Sequence, residues 1–268
     1  MVAVAVWAVF GSAVGSFLNV VIHRVPAGRS VVRPSSACGA CGHEIRWYDN
    51  IPILSWLALR GRCRDCSAPI SARYPLIELA GAAGFGIVAW AFFPGTGSTT
   101  QVVADWIVLG AFQVLAAASI ALAAIDLETR RLPNVIVAPL AAVGAVAFLA
   151  AAVLAGNWSA LLGALVGGLV LGGFYALPAL VRPGSMGMGD VKLAGVLGLY
   201  LGWLGLETWL VGVVGGFLIA GIVGVALIAA GRRGTTVALG PWLLAGAWLG
   251  ILAGHIIAAA YLGIFGLH

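Results

Sequence analysis

The chain has 268 residues, of which 62% are hydrophobic and only 9% are charged, and its formal net charge is +5. Soluble globular domains carry about 25% charged residues, so this composition excludes an ordinary soluble protein and predicts a polytopic membrane protein. The arginines are dispersed and no aromatic stacking platform accompanies them, which argues against nucleic acid as a partner.

Apolar segments follow one another along the whole chain. A helix needs about 20 apolar residues to cross a bilayer, and most of these segments approach that length. They predict an all-α polytopic membrane protein with about eight transmembrane helices. The more polar segment between the first two spans predicts a small cytosolic domain, and its four cysteines predict that this domain binds zinc. The predicted spans are 1–22, 75–93, 106–125, 135–155, 159–181, 193–206, 209–230 and 238–265.

The basic residues predict the orientation. All 14 lysines and arginines fall in alternate gaps between the apolar segments, and therefore on one side of an eight-span topology. Eight of them crowd the segment 23–74, while Arg232 and Arg233 lie in the last gap. The positive-inside rule places that side in the cytoplasm. We therefore predict a multi-pass membrane protein with its main soluble domain in the cytosol.

The segment 23–74 also contains all four cysteines, arranged as two C-x-x-C pairs separated by 21 residues: Cys38, Cys41, Cys63 and Cys66. This spacing is close to that of zinc ribbons, and Gly39 and Gly42 help the first pair to form a tight turn. Four thiolates complete a tetrahedral Zn²⁺ shell with no open position, which predicts a structural metal. The alternatives are a disulfide or redox pair, which a reducing cytoplasm disfavours, and thiols without metal.

Two acids, Asp126 and Asp190, stand at the predicted inner boundary of the membrane, and an ionisable group in a transmembrane segment suggests a function. If their carboxyl groups converge, repulsion keeps one protonated while the other ionises. Such a pair can activate a water molecule and protonate a leaving amine. The alternative is structural, with Asp190 paired to Lys192 and Asp126 paired to Arg130.

Gly187 and Gly189 precede Asp190 in the stretch MGMGDVKL. Glycine allows another backbone to approach closely, so we expect an extended peptide to bind along a strand-like stretch by main-chain hydrogen bonds. Gly187, Gly189 and Lys192 are therefore the candidate substrate-binding residues. Asp126 and Asp190 are the candidate catalytic residues.

Several motifs resemble those of the prepilin peptidases, also called type IV leader peptidases, which are intramembrane aspartyl proteases of the GxGD type. The resemblance covers essentially the whole chain, and the combination of motifs is highly specific. One departure is Asn134, where many members have an aspartate. In chain order the motifs are GSFLNVVIHRVP (15–26), the paired C-x-x-C motifs, RYPLIELA (73–80), AIDLETRRLPN (124–134), GMGDVKL (187–193) and LGPWLLAGAWLG (239–250).

The resemblance implies removal of the basic leader from type IV prepilins or type II secretion pseudopilins at the cytosolic membrane boundary. It also implies N-methylation of the new N-terminus with S-adenosylmethionine, because the cysteine-bearing domain is typical of bifunctional members. Asp126 and Asp190 match the family's catalytic aspartates. The chain is then expected to divide into a first transmembrane helix (1–22), a cytosolic zinc-binding domain (23–74) and a membrane-embedded aspartyl peptidase domain (75–268).

Three alternatives remain at this stage. The first is a peptidase without methyltransferase activity. The second is a transporter in which the two aspartates carry protons, but that function predicts acids near the bilayer midplane and inverted repeats. The third is a zinc-organised scaffold without chemistry, in which both aspartates would be replaceable.

Overall fold

The computed structural model describes residues 1–182, 186–231 and 238–264, so Arg232, Arg233 and the last residue of the eighth predicted span lie outside the described residues. The described parts form nine α-helices and a short 3₁₀ turn at Trp47–Asn50. The helices are α1 (Val2–Arg24), α2 (Leu54–Ala58), α3 (Arg73–Phe92), α4 (Thr99–Thr129), α5 (Asn134–Ala155), α6 (Trp158–Val181), α7 (Met188–Leu204), α8 (Leu206–Ala229) and α9 (Gly240–Ile264).

Most of the long helices can cross a membrane. Among the described residues, seven helices are long and apolar enough to do so, namely α1, α3, α4, α5, α6, α8 and α9. The sixth predicted span corresponds to α7, which has 17 residues. The prediction of an all-α, multi-pass membrane protein is therefore confirmed.

Two helices differ from their predicted bounds in ways that affect the candidate site. α4 has 31 residues because Ser98 caps its first turn by accepting a hydrogen bond from the Gln101 N–H, which adds polar turns before the apolar run. α4 ends where Arg130 adopts a left-handed conformation with φ 53° and its N–H donates to the Asp126 carbonyl oxygen at 2.9 Å. Asp126 therefore lies in the last turn of the helix.

The chain divides into two compact units. The first comprises Met1–Phe93 and Phe112–Ala124, and the second comprises Pro94–Ala111 and Ile125–His268. In the first unit α1 packs on α3 through glycine, because a Cβ atom on Gly15 would lie 2.7 Å from the Glu78 Cα atom. The buried Asn19 side chain donates to the Tyr74 carbonyl oxygen at 3.2 Å. Asn19 therefore bonds across the two helices.

In the second unit, α6 and α7 pack at backbone distance. A Cβ atom on Gly163 or Gly167 would lie 2.6 Å from the carbonyl oxygen of Gly202 or Gly198 on α7. Small residues allow such close approach in lipid, where apolar side chains gain little by leaving the solvent. The buried Tyr200 hydroxyl of α7 donates to the Leu140 carbonyl oxygen of α5 at 3.3 Å. α7, which begins with the candidate residues, is thus held by both neighbouring helices.

Candidate active site and metal centre

Asp126 is buried, with 4% of its surface exposed. Its Oδ2 atom accepts a hydrogen bond from the backbone N–H of Gly240 at 3.0 Å. Gly240 is the first residue of α9, where backbone N–H groups lack partners within the helix and the helix dipole favours negative charge. The start of α9 therefore orients one oxygen of Asp126 and leaves the other available for chemistry.

Asp190 is half-buried in the first turn of α7. Its backbone N–H donates to the Gly187 carbonyl oxygen at 3.0 Å, which closes that turn. A Cβ atom on Gly187 would lie 2.7 Å from Asp190 Oδ2, and one on Gly189 would lie 2.9 Å from Leu132 Cβ. Gly189 is thus required by the space that Leu132 Cβ occupies, whereas a side chain at Gly187 would displace the Asp190 carboxyl group.

The prediction of a strand-like stretch directly before Asp190 is wrong, because those residues are helical from Met188 onward. Gly187 has extended dihedral angles, φ −68° and ψ 129°, but α7 begins at Met188. The helix starts early because Asp190 and Gly187 close a backbone turn as soon as the chain leaves the extended conformation. Within the motif, which the structure describes from Met186 onward, the chain is extended at Gly187 and helical from Met188, so the motif itself offers no long strand-like edge.

The structure brings the two aspartates into one region of the second unit. Leu132 packs against the start of α7 at Gly189 and against the start of α9, where a Cβ atom on Gly240 would lie 3.2 Å from Leu132 Cδ2. Leu132 therefore lies beside the residue that precedes Asp190 and beside Gly240, which also contacts Asp126 Oδ2. This arrangement is compatible with a carboxyl pair that shares one proton.

Lys192 has a structural contact. Its ammonium group donates to Asn134 Oδ1 at 3.0 Å. The bond ties the first turn of α7 to the first residue of α5. The structure thus directs Lys192 toward Asn134, and its assignment to substrate binding stays a prediction.

Sequence reasoning did not single out Gly240 or Leu132 as members of the site. The signal for Gly240 was present, because the Gly240–Pro241 pair directly precedes an apolar run, and proline is common in the first turn of a helix. A free helix N-terminus beside an acid is a recognisable arrangement. Leu132 gave no such signal, since a leucine next to Pro133 is typical of apolar packing and does not indicate a functional site.

The first cysteine pair lies in a compact turn that is closed by two backbone hydrogen bonds. The Cys38 N–H donates to the His43 carbonyl oxygen at 2.9 Å, and the Gly42 N–H donates to the Cys38 carbonyl oxygen at 2.9 Å. Gly42 has φ +74°, a conformation that glycine adopts without steric cost. Of the two glycines that the sequence suggested for this turn, Gly42 is the one that adopts a left-handed conformation.

The second cysteine pair repeats this geometry. The Cys63 N–H donates to the Ala68 carbonyl oxygen at 2.8 Å, and the Ser67 N–H donates to the Cys63 carbonyl oxygen at 2.9 Å. Ser67 has φ +59° and so occupies the place that Gly42 takes in the first turn. The two turns, 38–43 and 63–68, are called the zinc knuckles below.

The four thiols fit a zinc ion. Their Sγ atoms all lie within 4.8 Å of one another, and Cys38 Sγ is 3.8 Å from Cys66 Sγ. A tetrahedron with Zn–S bonds of about 2.3 Å has edges of about 3.8 Å. Backbone N–H groups of Cys41 and Ala40 lower the pKa of the Cys38 thiol. Burial and the neighbouring thiols instead raise the pKa of the Cys66 thiol, so the fit to zinc rests on the spacing of the four sulfurs. His43 is exposed and is not needed to complete the ligand set.

Replacing Ser67 with glycine is expected to stabilise the zinc knuckles by about 1 kcal/mol, because a residue with a Cβ atom pays about that much for a left-handed conformation. Gly42→Ala is the converse change and should destabilise them by a similar amount. Chelator competition on the purified protein measures both effects. Equal zinc retention in the two variants would show that the residues in the left-handed conformation do not determine the stability of the zinc knuckles.

The chain matches two family models in succession. Residues 9–92 match the bacterial peptidase A24 N-terminal domain. Residues 113–267, more than half of the chain, match the type IV leader peptidase family. The first match contains all four cysteines and the second contains both aspartates.

Curated relatives match over nearly the whole length. The prepilin leader peptidase/N-methyltransferase of Stutzerimonas stutzeri is 39% identical over 280 residues, covering 95% of this chain and 92% of the relative. The proteins of the same name from Pseudomonas aeruginosa and Aeromonas hydrophila are 38% and 35% identical, each covering 96% of this chain and 92% of the relative. No solved structure gives a significant match. The resemblance that the motifs indicated is confirmed, and the chain belongs to the type IV leader peptidase family.

Proposed function

We propose that this protein removes the leader from a type IV prepilin or a type II secretion pseudopilin by aspartyl proteolysis and then N-methylates the new N-terminus. The observation that carries the proposal is the family match at both ends of the chain, together with near full-length relatives whose names state both activities. A peptidase without methyltransferase activity, a proton-coupled transporter and a scaffold are correspondingly disfavoured.

In this proposal Asp126 and Asp190 form the catalytic pair. The ionised carboxylate takes a proton from a water molecule, whose oxygen attacks the scissile carbonyl carbon. The protonated carboxyl group donates its proton to the amide nitrogen as the tetrahedral intermediate collapses and its C–N bond breaks, which releases the amine. The pair keeps the proton taken from water and so returns to its shared-proton state. The Gly240 N–H holds one oxygen of Asp126 during these transfers, and this hydrogen bond supports the role.

The substrate is proposed to approach from one boundary of the membrane. Asp126 ends a membrane-crossing helix and Asp190 begins α7, so both acids serve a bond at the edge of the apolar region. A substrate with a basic leader outside the bilayer and an apolar helix inside it presents its cleavage site at that depth. The positive-inside rule supports the cytosolic face of the bacterial cytoplasmic membrane.

The candidate substrate-binding residues take modified roles in this proposal. The backbone at Gly187 is exposed and extended, and the N–H groups of Met188 and Gly189 come from a helix start that offers them no partner within the helix. A substrate carbonyl group can accept from these donors. Lys192 contributes by holding the start of α7 against Asn134.

Two cofactors belong to the proposed function. Zn²⁺ is structural, held by Cys38, Cys41, Cys63 and Cys66, whose spacing fits a closed tetrahedral shell. S-adenosylmethionine supplies the methyl group when it is bound. The methyltransferase part of the relatives' name supports its use.

Reconstitution with a prepilin tests the function. The full-length protein in lipid nanodiscs is mixed with a purified prepilin, and gel shift and intact mass are followed with and without S-adenosylmethionine. We expect cleavage in both conditions and methylation of the mature N-terminus only with the methyl donor. Cleavage without methylation would identify a peptidase only. Absence of cleavage would overturn the proposal.

Replacing Gly240 with alanine is expected to lower the cleavage rate about 100-fold, because misplacing a catalytic group by about 1 Å has effects of that size. The new Cβ atom would lie 2.7 Å from Asp126 Oδ2 and must push the carboxyl group away. Initial rates on a purified prepilin measure the change. Gly173→Ala on α6 is the matched control, since nothing lies within 4 Å of its Cβ position, and it should keep the wild-type rate.

A further inference from the structure

The zinc-binding segment carries an exposed apolar surface between its two zinc knuckles. The exposed fractions of Trp47, Leu54 and Leu57 are 81%, 65% and 58%, and Tyr48 and Ile51 are also exposed. Contiguous exposed apolar side chains mark an interaction site more often than a solvated surface. Trp47, Tyr48, Ile51, Leu54 and Leu57 are called the 47–57 surface below.

The 47–57 surface is a folded element. Ser55 is buried, its hydroxyl group donates to the Tyr48 carbonyl oxygen at 2.9 Å, and its oxygen accepts from the Ile51 N–H at 3.0 Å. These two bonds join the 3₁₀ turn at Trp47–Asn50 to α2. The apolar side chains are therefore presented by an ordered backbone.

A hydrogen bond to α3 fixes the depth of this surface. The Ile53 N–H donates to Glu78 Oε2 at 2.7 Å, and Glu78 is buried. Glu78 follows Arg73, the first residue of α3, by five residues, which is about 7.5 Å along the helix axis. Because α3 is long and apolar enough to cross a membrane, Ile53 lies beside part of a span. With the edge of the bilayer placed at the start of α3, α2 starts at the depth of the head-group region, where interfacial helices bury their apolar face by about 5–10 Å.

The backbone at Ile53 is strained, which indicates that the contact with Glu78 is a defined feature. Ile53 has φ +64°, a rare conformation for a β-branched residue. The hydrogen bond to the buried carboxylate offsets this strain. Glu78 therefore acts as a positioning residue for the start of α2.

The charges beside the 47–57 surface favour an anionic partner. Arg46 pairs with Asp65 at 3.0 Å and Arg64 pairs with Asp49 at 2.6 Å. Within residues 1–182, 186–231 and 238–264, no acidic side chain pairs with the exposed Arg60 or with the exposed Arg62. These two arginines follow α2 directly.

We propose that the 47–57 surface is embedded in the interfacial region of the bilayer and that Arg60 and Arg62 bind the anionic head groups of phospholipids. Exposed Trp and Tyr side chains suit this environment because they combine an apolar ring with a polar edge. The depth set by Glu78 favours lipid over a soluble protein partner, since Leu76 and Leu79, on either side of Glu78 in α3, also have exposed apolar side chains.

Photo-cross-linking tests the location. Full-length protein carrying p-benzoylphenylalanine in place of Leu57 is reconstituted in nanodiscs that contain phosphatidylglycerol, and adducts are identified by mass spectrometry. We expect lipid adducts from position 57 and none above background from position 45, because Ile45 is exposed next to the first zinc knuckle. Lipid adducts from both positions or from neither would overturn the proposal. So would adducts from position 57 that form only with an added prepilin.

The Glu78 contact gives a second readout. Glu78→Ala removes the acceptor for the Ile53 N–H and should abolish the lipid adduct at position 57, while Glu78→Gln keeps an acceptor and should retain it. Zinc content, measured in parallel, should stay at the wild-type level in both variants. Unchanged adducts in Glu78→Ala would contradict the role of Glu78 in setting the depth.

Hydrogen exchange tests the charge component. Amide exchange of residues 51–57 should be about 25-fold slower in phosphatidylglycerol nanodiscs than in neutral ones, since each of two arginines near an anionic surface contributes about fivefold. The double variant Arg60→Gln/Arg62→Gln should lose this difference. The matched double variant Arg29→Gln/Arg33→Gln removes equal charge elsewhere in the segment and should keep it. Equal losses in the two double variants would show a non-specific charge effect and overturn the assignment.

Discussion

Replacing either Asp126 or Asp190 with asparagine is expected to slow leader cleavage by about 10⁴-fold, the upper range for loss of general acid–base catalysis. Asparagine has nearly the shape of aspartate but exchanges no proton near neutral pH. In Asp126→Asn the side-chain oxygen can still accept from the Gly240 N–H, so the local geometry is retained. Gel shift of a purified prepilin, with enzyme in nanodiscs, measures the rate.

Asp105→Asn is the matched control for these variants. Asp105 lies on α4 as Asp126 does, but near the other end of the helix, where its carboxylate accepts from the Gln101 side chain at 2.8 Å. This control should cleave at the wild-type rate. Methylation of a pre-cleaved pilin should persist in Asp126→Asn and Asp190→Asn, which shows that they are folded. Sustained cleavage in both aspartate variants would remove the catalytic pair from the mechanism.

Removing zinc is expected to unfold residues 23–74 while the spanning helices remain folded. Structural zinc contributes about 10–16 kcal/mol to folding in zinc-finger peptides, and in this segment the apolar side chains of the 47–57 surface are exposed rather than packed into a core. Cys63→Ser should lower the metal content from about one Zn²⁺ per chain to near zero. Limited proteolysis should then cut between the two zinc knuckles and spare the helices.

His43→Ala is the control for the metal experiment. His43 neighbours Cys41 and is exposed, so its imidazole should be dispensable and the zinc content should stay at about one per chain. Loss of metal in His43→Ala would mean that histidine, rather than one of the cysteines, completes the site. A folded, protease-resistant segment without metal would contradict the structural role of zinc.

The long apolar helices were predictable because hydropathy reports lipid solubility directly. The predicted spans 135–155 and 159–181 agree with α5 and α6 to within one residue at each end. The connection between them was predictable because glycine is typical of helix C-termini and asparagine of helix N-caps. In the structure Gly156 has φ +70°, and Asn157 caps α6 by accepting a hydrogen bond from the Ala160 N–H. The additional turns of α4 escaped prediction because Thr99, Gln101 and Asp105 are polar, and their helical state depends on the Ser98 cap.

The candidate site was predictable in its acids and less so in its geometry. Asp126 and Asp190 stand out because charge is costly near lipid. The start of α7 was placed too late because glycine has a poor intrinsic helix propensity, whereas the packing of Gly189 on Leu132 is a tertiary feature. The contact between Gly240 and Asp126 joins residues 114 positions apart, and no local pattern encodes such a pairing.

The repeated geometry of the zinc knuckles bears on the order of events during synthesis. Each knuckle closes over six residues, so the first can form as soon as residue 43 has left the ribosome. Its two thiolates alone make an incomplete shell for zinc. Tetrahedral capture must wait until Cys66 emerges. Arg73, where the next apolar helix begins, is only seven residues later. The four-thiolate shell can therefore be complete only shortly before that helix begins to emerge, so the metal site and the second spanning helix become available to the folding chain in close succession.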